Sequence, residues 1–296
     1  MFDYYAYVPP VFRPPSEANS LIIQATIGCS QNQCTFCGMY KTKRFHVRPL
    51  EDILAELSRI PEADRDLIRR VFIGDGDGLV YPQESLTALL EALDNMLPNL
   101  NRVGAYASPR SLSLKSEADL KALRARKLRI LYFGLESGDD HTLEVANKGY
   151  IAEEMLELCR KAQNAGIKIS VTAILGLAGR ARSLEHAHAT AAWVNALSPA
   201  YFSLLTLFRR HNEKFFTLIE PLSNGEILEE ACVIVEHLQP HKTILRSNHV
   251  SNILNLAGTY PKDRTRLTAD CRAALEQARR HPDWFDSVPG YRESHY

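Results

Sequence analysis

The sequence has no apolar run approaching the roughly 18 residues that a membrane span needs. Its opening residues, Met1-Phe2-Asp3-Tyr4-Tyr5, carry neither the basic region nor the apolar stretch of a secretion signal. Neither charge is in excess: 35 Lys and Arg face 35 Asp and Glu. That balance does not indicate nucleic acid or a membrane surface as partner. A reducing, cytoplasmic location is the expectation, and there the six cysteines are ligands or buried thiols rather than disulfides. Internal repeats and low-complexity tracts are also missing. So is a dinucleotide fingerprint: Gly74-Asp75-Gly76-Asp77-Gly78 is followed by Leu79, where G-x-G-x-x-G needs glycine and a calcium loop needs oxygen.

What the chain does have is alternation. With 296 residues, 45% of them hydrophobic and 24% charged, it can bury a large core. Strand-like runs fall at 21–27, 71–74, 101–107, 129–135, 167–175 and 201–207. Helical periodicity falls between them, at 49–60, 83–97, 116–126, 152–165 and 183–197. Six β/α repeats predict a parallel sheet, as an open doubly wound sheet or a full or partial barrel. After residue 208 the pattern changes to a helix over 225–238, a strand at 243–245, a polar loop and a last helix over 262–280; the tail beyond Pro282 is assigned no structure. Residues 1–20, rich in Tyr and Pro, read as an extended arm.

Polar and glycine-rich clusters sit at the C-terminal ends of the strands, where a β/α barrel builds its active site. They are Gly74–Gly78, Ser108-Pro109-Arg110, Glu136-Ser137-Gly138 and Gly176–Gly179, and ahead of them all a cysteine loop after the first strand. In it Cys29, Cys34 and Cys37 occupy nine residues. Three thiolates at that spacing suit a metal or iron–sulfur loop. A Cys3His zinc site with His46, or a non-catalytic iron–sulfur site, is the alternative. Cys159, Cys232 and Cys271 are far apart and read as buried thiols. His186 and His188 are two residues apart, which turns them to different faces of their helix, and both read as surface residues.

Taken together these residues resemble the radical S-adenosylmethionine (SAM) superfamily. Cys34-Thr35-Phe36-Cys37 matches the second half of its CxxxCxΦC motif, with Phe36 as the aromatic residue. The first half departs, because four residues separate Cys29 from Cys34, giving CX4CX2C. Gly134-Leu135-Glu136-Ser137-Gly138-Asp139, running on to Asn147-Lys148-Gly149, is similar to the branch holding coproporphyrinogen-oxidase-like proteins, Elp3 and the methylthiotransferases. The resemblance implies an α/β fold, a partial (β/α)6 TIM-type barrel over residues 21–210, with a C-terminal α/β extension over 211–296 bordering the active site.

It also implies a [4Fe–4S] cluster on Cys29, Cys34 and Cys37, with one iron left for SAM. Gly74, Asp75, Gly76 and Asp77 stand where the family holds the methionine amino group, with Ser108 beside them. Glu136 would bind SAM, Lys148 stands where relatives carry an Arg on its carboxylate, Thr172 where some place a ribose-binding Asp, and Leu175 would border the adenine. An electron from the cluster would cleave SAM to methionine and a 5′-deoxyadenosyl radical, which abstracts hydrogen from a substrate. An acid that coproporphyrinogen oxidases carry falls at Tyr106 here. Tyr106, Arg209, Arg210, Arg246, Asn248 and His249 are the candidates for substrate contact. The partners implied are a small-molecule or peptide substrate and an electron donor such as flavodoxin or ferredoxin.

Overall fold

The structure is a computed structural model, and it describes residues 7–207 and 212–289. Arg209 and Arg210 lie outside the described residues. The chain alternates strand and helix. The strands are β1 (Leu21–Gln24), β2 (Arg70–Gly74), β3 (Arg102–Ala107), β4 (Leu128–Glu136), β5 (Lys168–Leu175), β6 (Tyr201–Thr206), β7 (Ile244–Arg246) and β8 (Ala257–Thr259). Between and after them run α1 (Leu50–Ser58), α2 (Gln83–Met96), α3 (Glu117–Ala125), α4 (Ala152–Asn164), α5 (Ser183–Leu197), α6 (Asn224–His237) and α7 (Arg264–Arg279). The sheet order is β1-β2-β3-β4-β5-β6-β7-β8. The pairing is parallel at Leu21↔Val71, Val71↔Val103, Ala105↔Leu131, Val171↔Phe202 and Phe202↔Leu245, and antiparallel at β7–β8. This is the α/β, mostly parallel architecture expected, and its central strands are near-continuous apolar runs because such sheets are covered on both faces. Among the described residues no helix is long and apolar enough to cross a membrane.

Two compact units divide the chain: Met1–Asn32, Met39–Phe133 and Leu158–Ile169 form the first, Gln33–Gly38, Gly134–Glu157 and Ser170–Tyr296 the second. The first unit is centred on Leu21, Ile23, Phe72, Ile73 and Val103, all fully buried. Its arm reaches inward. Glu17 is fully buried, with its carboxylate on Arg102 and on the hydroxyls of Tyr132 and Ser20. In the second unit α6 packs on both α5 and α7. There Cys232 and Cys271 are buried neighbours, and the hydrogen bond between them, with burial, pushes the Cys271 thiol far up. Cys159 is fully buried in the first unit, so all three thiols are core residues as expected.

The helix starts are set locally. Ser116 accepts from the Asp119 N–H while the Asp119 side chain takes the Ser116 N–H, and Ser223 and Glu226 repeat the arrangement for α6. The expected first strand is shorter than 21–27. It stops at Gln24, Ala25 donates to the Gly74 carbonyl at 2.9 Å, and Thr26–Ile27 pairs antiparallel with His46–Val47 instead. Short helices at Pro109–Ser113, Asp140–Val145 and Pro282–Phe285, and strand β8, have no counterpart in the sequence reading.

Candidate active site

In the first unit, the ends of β1, β2 and β3 carry the cysteine loop's start, the two aspartates and Ser108. Asp75 is fully buried. Its Oδ2 accepts the Gly28 N–H at 3.0 Å and the Lys43 ammonium at 2.6 Å, and Oδ1 accepts the Gln24 amide at 3.1 Å. Lys43 gives its other hydrogens to the Val8 and Pro10 carbonyls, at 2.6 and 2.7 Å. Asp77 is equally buried, and takes the Ser30 hydroxyl, the Ser108 hydroxyl at 2.6 Å and the Ser108 N–H at 3.2 Å. Burial pushes the Asp77 carboxyl above its ordinary range, against the lowering pull of the Ser108 and Ser30 hydrogen bonds. The two carboxylates therefore face protein groups and hold Gly28 and Ser30 on either side of Cys29. Gly76 has no room for a side chain: its Cβ would stand 2.8 Å from that of Cys29 and 2.7 Å from the Tyr40 ring. The Cys29 sulfur lies 3.8 Å from the Gly76 carbonyl.

Tyr106 is half-buried and edge-on to Phe72, with centroids 5.0 Å apart. His46 is exposed, and its Nδ1 lies 3.2 Å from the Arg44 carbonyl. Among the described residues no three His, Cys, Asp or Glu side chains gather as a cage for a single metal ion.

In the second unit, the loop 33–38 carries Cys34 and Cys37, both half-buried. Phe36 between them is buried with Ala146, Leu177, Leu207 and Phe215, and the two cysteines pack against that cluster. The Thr35 N–H and hydroxyl donate to the Ala146 and Val145 carbonyls at 3.0 and 2.9 Å. The Asn147 amide donates to the Gln33 carbonyl at 3.1 Å. The loop thus rests on the segment that follows β4.

At the end of β4, Glu136 adopts φ +68°, a conformation rare for a side chain of this length. Its carboxylate folds back over Gly134, where a Cβ would collide with Oε1, and pairs with Lys148 at 3.0 Å. Ser137 and Asp139 are buried next to it. Burial alone would raise the Asp139 carboxyl, but the paired Arg182 guanidinium and Thr142 hold it at about 2. On β5, Thr172 is half-buried and Leu175 is buried. Leu175 also lines a small recess with Ile227, Ser247, Asn252 and Leu256. Arg246 at the end of β7 and Asn248 just after it are exposed. His249 is half-buried with Nδ1 2.8 Å from the Ser251 hydroxyl, and burial lowers its pKa.

One expectation is corrected. His186 is fully buried, not a surface residue, whereas His188 is exposed and edge-on to His237 at 4.4 Å. The ring of His186 sits between Ser137, whose Oγ is 2.7 Å from Nδ1, and Glu230, whose Oε1 is 3.7 Å from Nε2. Glu230 is itself buried and accepts the Gly176 N–H at 2.7 Å and the Ser183 hydroxyl at 2.5 Å. Burial drives the two apart from their ordinary values, His186 down to about 4 and Glu230 up to about 7. His186 is therefore neutral near neutral pH, while Glu230 is neutral only below about 7. Nothing in the local sequence marks Glu230, which lies midway along an ordinary amphipathic helix.

The family model of the radical SAM superfamily matches residues 23–190, more than half of the chain. A Methanocaldococcus jannaschii protein assigned as a methylthiotransferase is 25% identical over 156 residues, covering 51% of this chain and 34% of that protein. The heme chaperone HemW of Bacillus subtilis is 23% identical over 197 residues, covering 63% of this chain and 50% of that one. The chain thus spans half or less of the length of these curated relatives. Among solved structures, coproporphyrinogen III oxidase (HemN) of Escherichia coli superimposes with a TM-score of 0.55 at 16% identity, covering 73% of this chain and 52% of that one. At that identity the likeness shows the fold.

Proposed function

Because the chain belongs to the radical SAM superfamily, we propose that it is an enzyme in which Cys29, Cys34 and Cys37 hold a [4Fe–4S] cluster and the ends of β2, β4 and β5 hold SAM. Membership of the superfamily implies both cofactors. The observation that carries the site assignment is the pair of buried aspartates gripping Gly28 and Ser30. A surface turn has no need to be tied on both sides of a half-exposed cysteine by two carboxylates. The donor set also fits. The three loop cysteines are partly exposed, while the other three are buried, and thiolates are the ligands of such clusters.

When bound, the cluster supplies the electron that splits SAM into methionine and a 5′-deoxyadenosyl radical. The protein's part is to hold and shield. Phe36, packed on Phe215, presents an apolar floor beneath Cys34 and Cys37. Asp75 and Asp77 act on SAM indirectly, since their oxygens are committed to the protein; backbone groups of Gly74–Gly76 would meet the amino group. Glu136 and Lys148 are already a complementary pair, and would open toward the amino and carboxylate groups of SAM. Lys148 is a point charge and cannot grip a carboxylate with two parallel bonds as Arg does. Thr172 and Leu175 would face the ribose and adenine. Tyr106, Arg246, Asn248 and His249 remain the candidates for a small-molecule or peptide substrate, and a flavodoxin or ferredoxin is the proposed electron donor.

The test is anaerobic reconstitution with iron and sulfide. The protein is expected to gain the visible absorbance of a thiolate-bound cluster and, once reduced, to form 5′-deoxyadenosine from SAM. Cys34→Ala is expected to lose both, while Cys159→Ala retains both. Zinc uptake without deoxyadenosine from the wild-type protein would sink the reading.

A further inference from the structure

Two turns would face SAM in the second unit, one carrying Glu136 at the end of β4 and one carrying Gly176 at the end of β5. Behind both lie the buried Ser137, His186 and Glu230 with the half-buried Ser183, a set that the proposed chemistry does not use. Ser137 Oγ accepts the Asp139 N–H at 2.9 Å and shares a hydrogen with His186 Nδ1 at 2.7 Å. His186 Nε2 lies 3.7 Å from Glu230 Oε1, beyond hydrogen-bond distance. The order Ser–Nδ1, Nε2–Glu is the reverse of a hydrolytic triad, where the serine meets Nε2. Ser137 is also fully buried, so no substrate reaches it.

The chain on either side of this set is fixed as well. The Gly138 N–H donates to Thr190 on α5 at 3.0 Å, and a Cβ on Gly138 would run into the Ala189 carbonyl. Gly176 sits at φ +80° with its N–H on Glu230. For packing alone, apolar residues of similar volume would serve as well, and often better, than a buried ionisable pair. What Glu230 and His186 add is direction: one takes a particular N–H, the other a particular hydroxyl.

We infer that His186 and Glu230 are positioning residues that brace the β4 turn and the β5 turn against α5 and α6, and so fix the geometry in which SAM is bound. The inference rests on the functional reading above. It is tested on the reconstituted protein with Glu230→Ala and Glu230→Gln. SAM binding is measured by equilibrium dialysis, and deoxyadenosine formation as a function of SAM concentration. Hydrogen exchange of the 174–178 region is followed in the cluster-free protein.

Glu230→Ala is expected to weaken SAM binding about tenfold and to raise half-saturating SAM to match, at unchanged cluster absorbance and little-changed rate at saturation. Exchange over 174–178 is expected to quicken. Glu230→Gln, whose amide oxygen still accepts the Gly176 N–H, is expected to restore all three. Should Glu230→Ala not fold, Ser137→Ala, which removes only the hydroxyl, carries the test with an expected weakening of several-fold. Wild-type SAM affinity in the folded alanine variant, or no rescue by Gln, overturns the inference while the functional reading stands. A wild-type protein that cleaves no SAM overturns both.

Discussion

Lys43 lies in a basic run, Lys41-Thr42-Lys43-Arg44, and its ammonium is buried on Val8, Pro10 and Asp75. Asp75 and Asp77 were legible as a polar cluster after a strand, and as candidates for the site through the family resemblance. Their partners were not, because Gly28, Ser30 and Lys43 are brought to them by tertiary folding that no local pattern encodes. Removing one member of such a pair strands the other charge, which typically costs about 3–5 kcal/mol. Asp75→Ala is expected to lose about that much in urea unfolding. Lys43→Met in the same chain is expected to recover part of it, since an uncharged stem leaves no charge stranded while the Gly28 N–H and Pro10 carbonyl still lose their partners. Full stability in Asp75→Ala alone would show that Lys43 finds other partners.

Elements with several turns of regular period were legible: α2, α3, α5 and α6 fall within a residue or so of their expected ends, because burial on one stripe repeats often enough to be seen. Asp140–Val145 and Pro109–Ser113 are too short to show a period, and β8 exists only because β7 offers it an edge. The reading of His186 failed for a related reason. Spacing from His188 says that the two point apart, but not which one points inward. The groups that face its ring, Ser137 and Glu230, each lie more than forty residues away in sequence. The close seat of the β4 turn on α5 gives an element-scale expectation. Gly138→Ala places a methyl against the Ala189 carbonyl, and overpacking of this kind costs about 1–3 kcal/mol. A lowered thermal midpoint checks it; an unchanged midpoint would mean that the turn yields.

For the molecule as a whole, the parallel α/β order was readable from alternation alone, whereas its pH response was not, because it depends on burial. Unfolded, His186 titrates near 6.5 and Glu230 near 4.5; folded, near 4 and near 7. Between about 4 and 6.5 the unfolded chain takes up a proton that buried His186 refuses, so its contribution rises with pH. Between about 4.5 and 7 folded Glu230 keeps a proton that the unfolded chain releases, so its contribution falls with pH. Asp139 and Arg182, the charged pair nearest them, are already matched. The two slopes oppose each other. Relative to wild type, Glu230→Gln is expected to gain stability as pH rises through 4.5–7, and His186→Gln to lose it through 4–6.5. Thermal midpoints across that range check both, and parallel curves for all three proteins would refute the assignment.

The tethers on the cysteine loop have one more consequence. Gly28 and Ser30 are held by the aspartates, Lys43 by Asp75, and Thr35 by the carbonyls of Val145 and Ala146. Asn32 and Gln33 are held as well, the first by Tyr40 and Lys41 and the second by the Asn147 amide. Any change in the spacing of Cys29 from Cys34 would have to re-form these bonds as well as reposition the thiols.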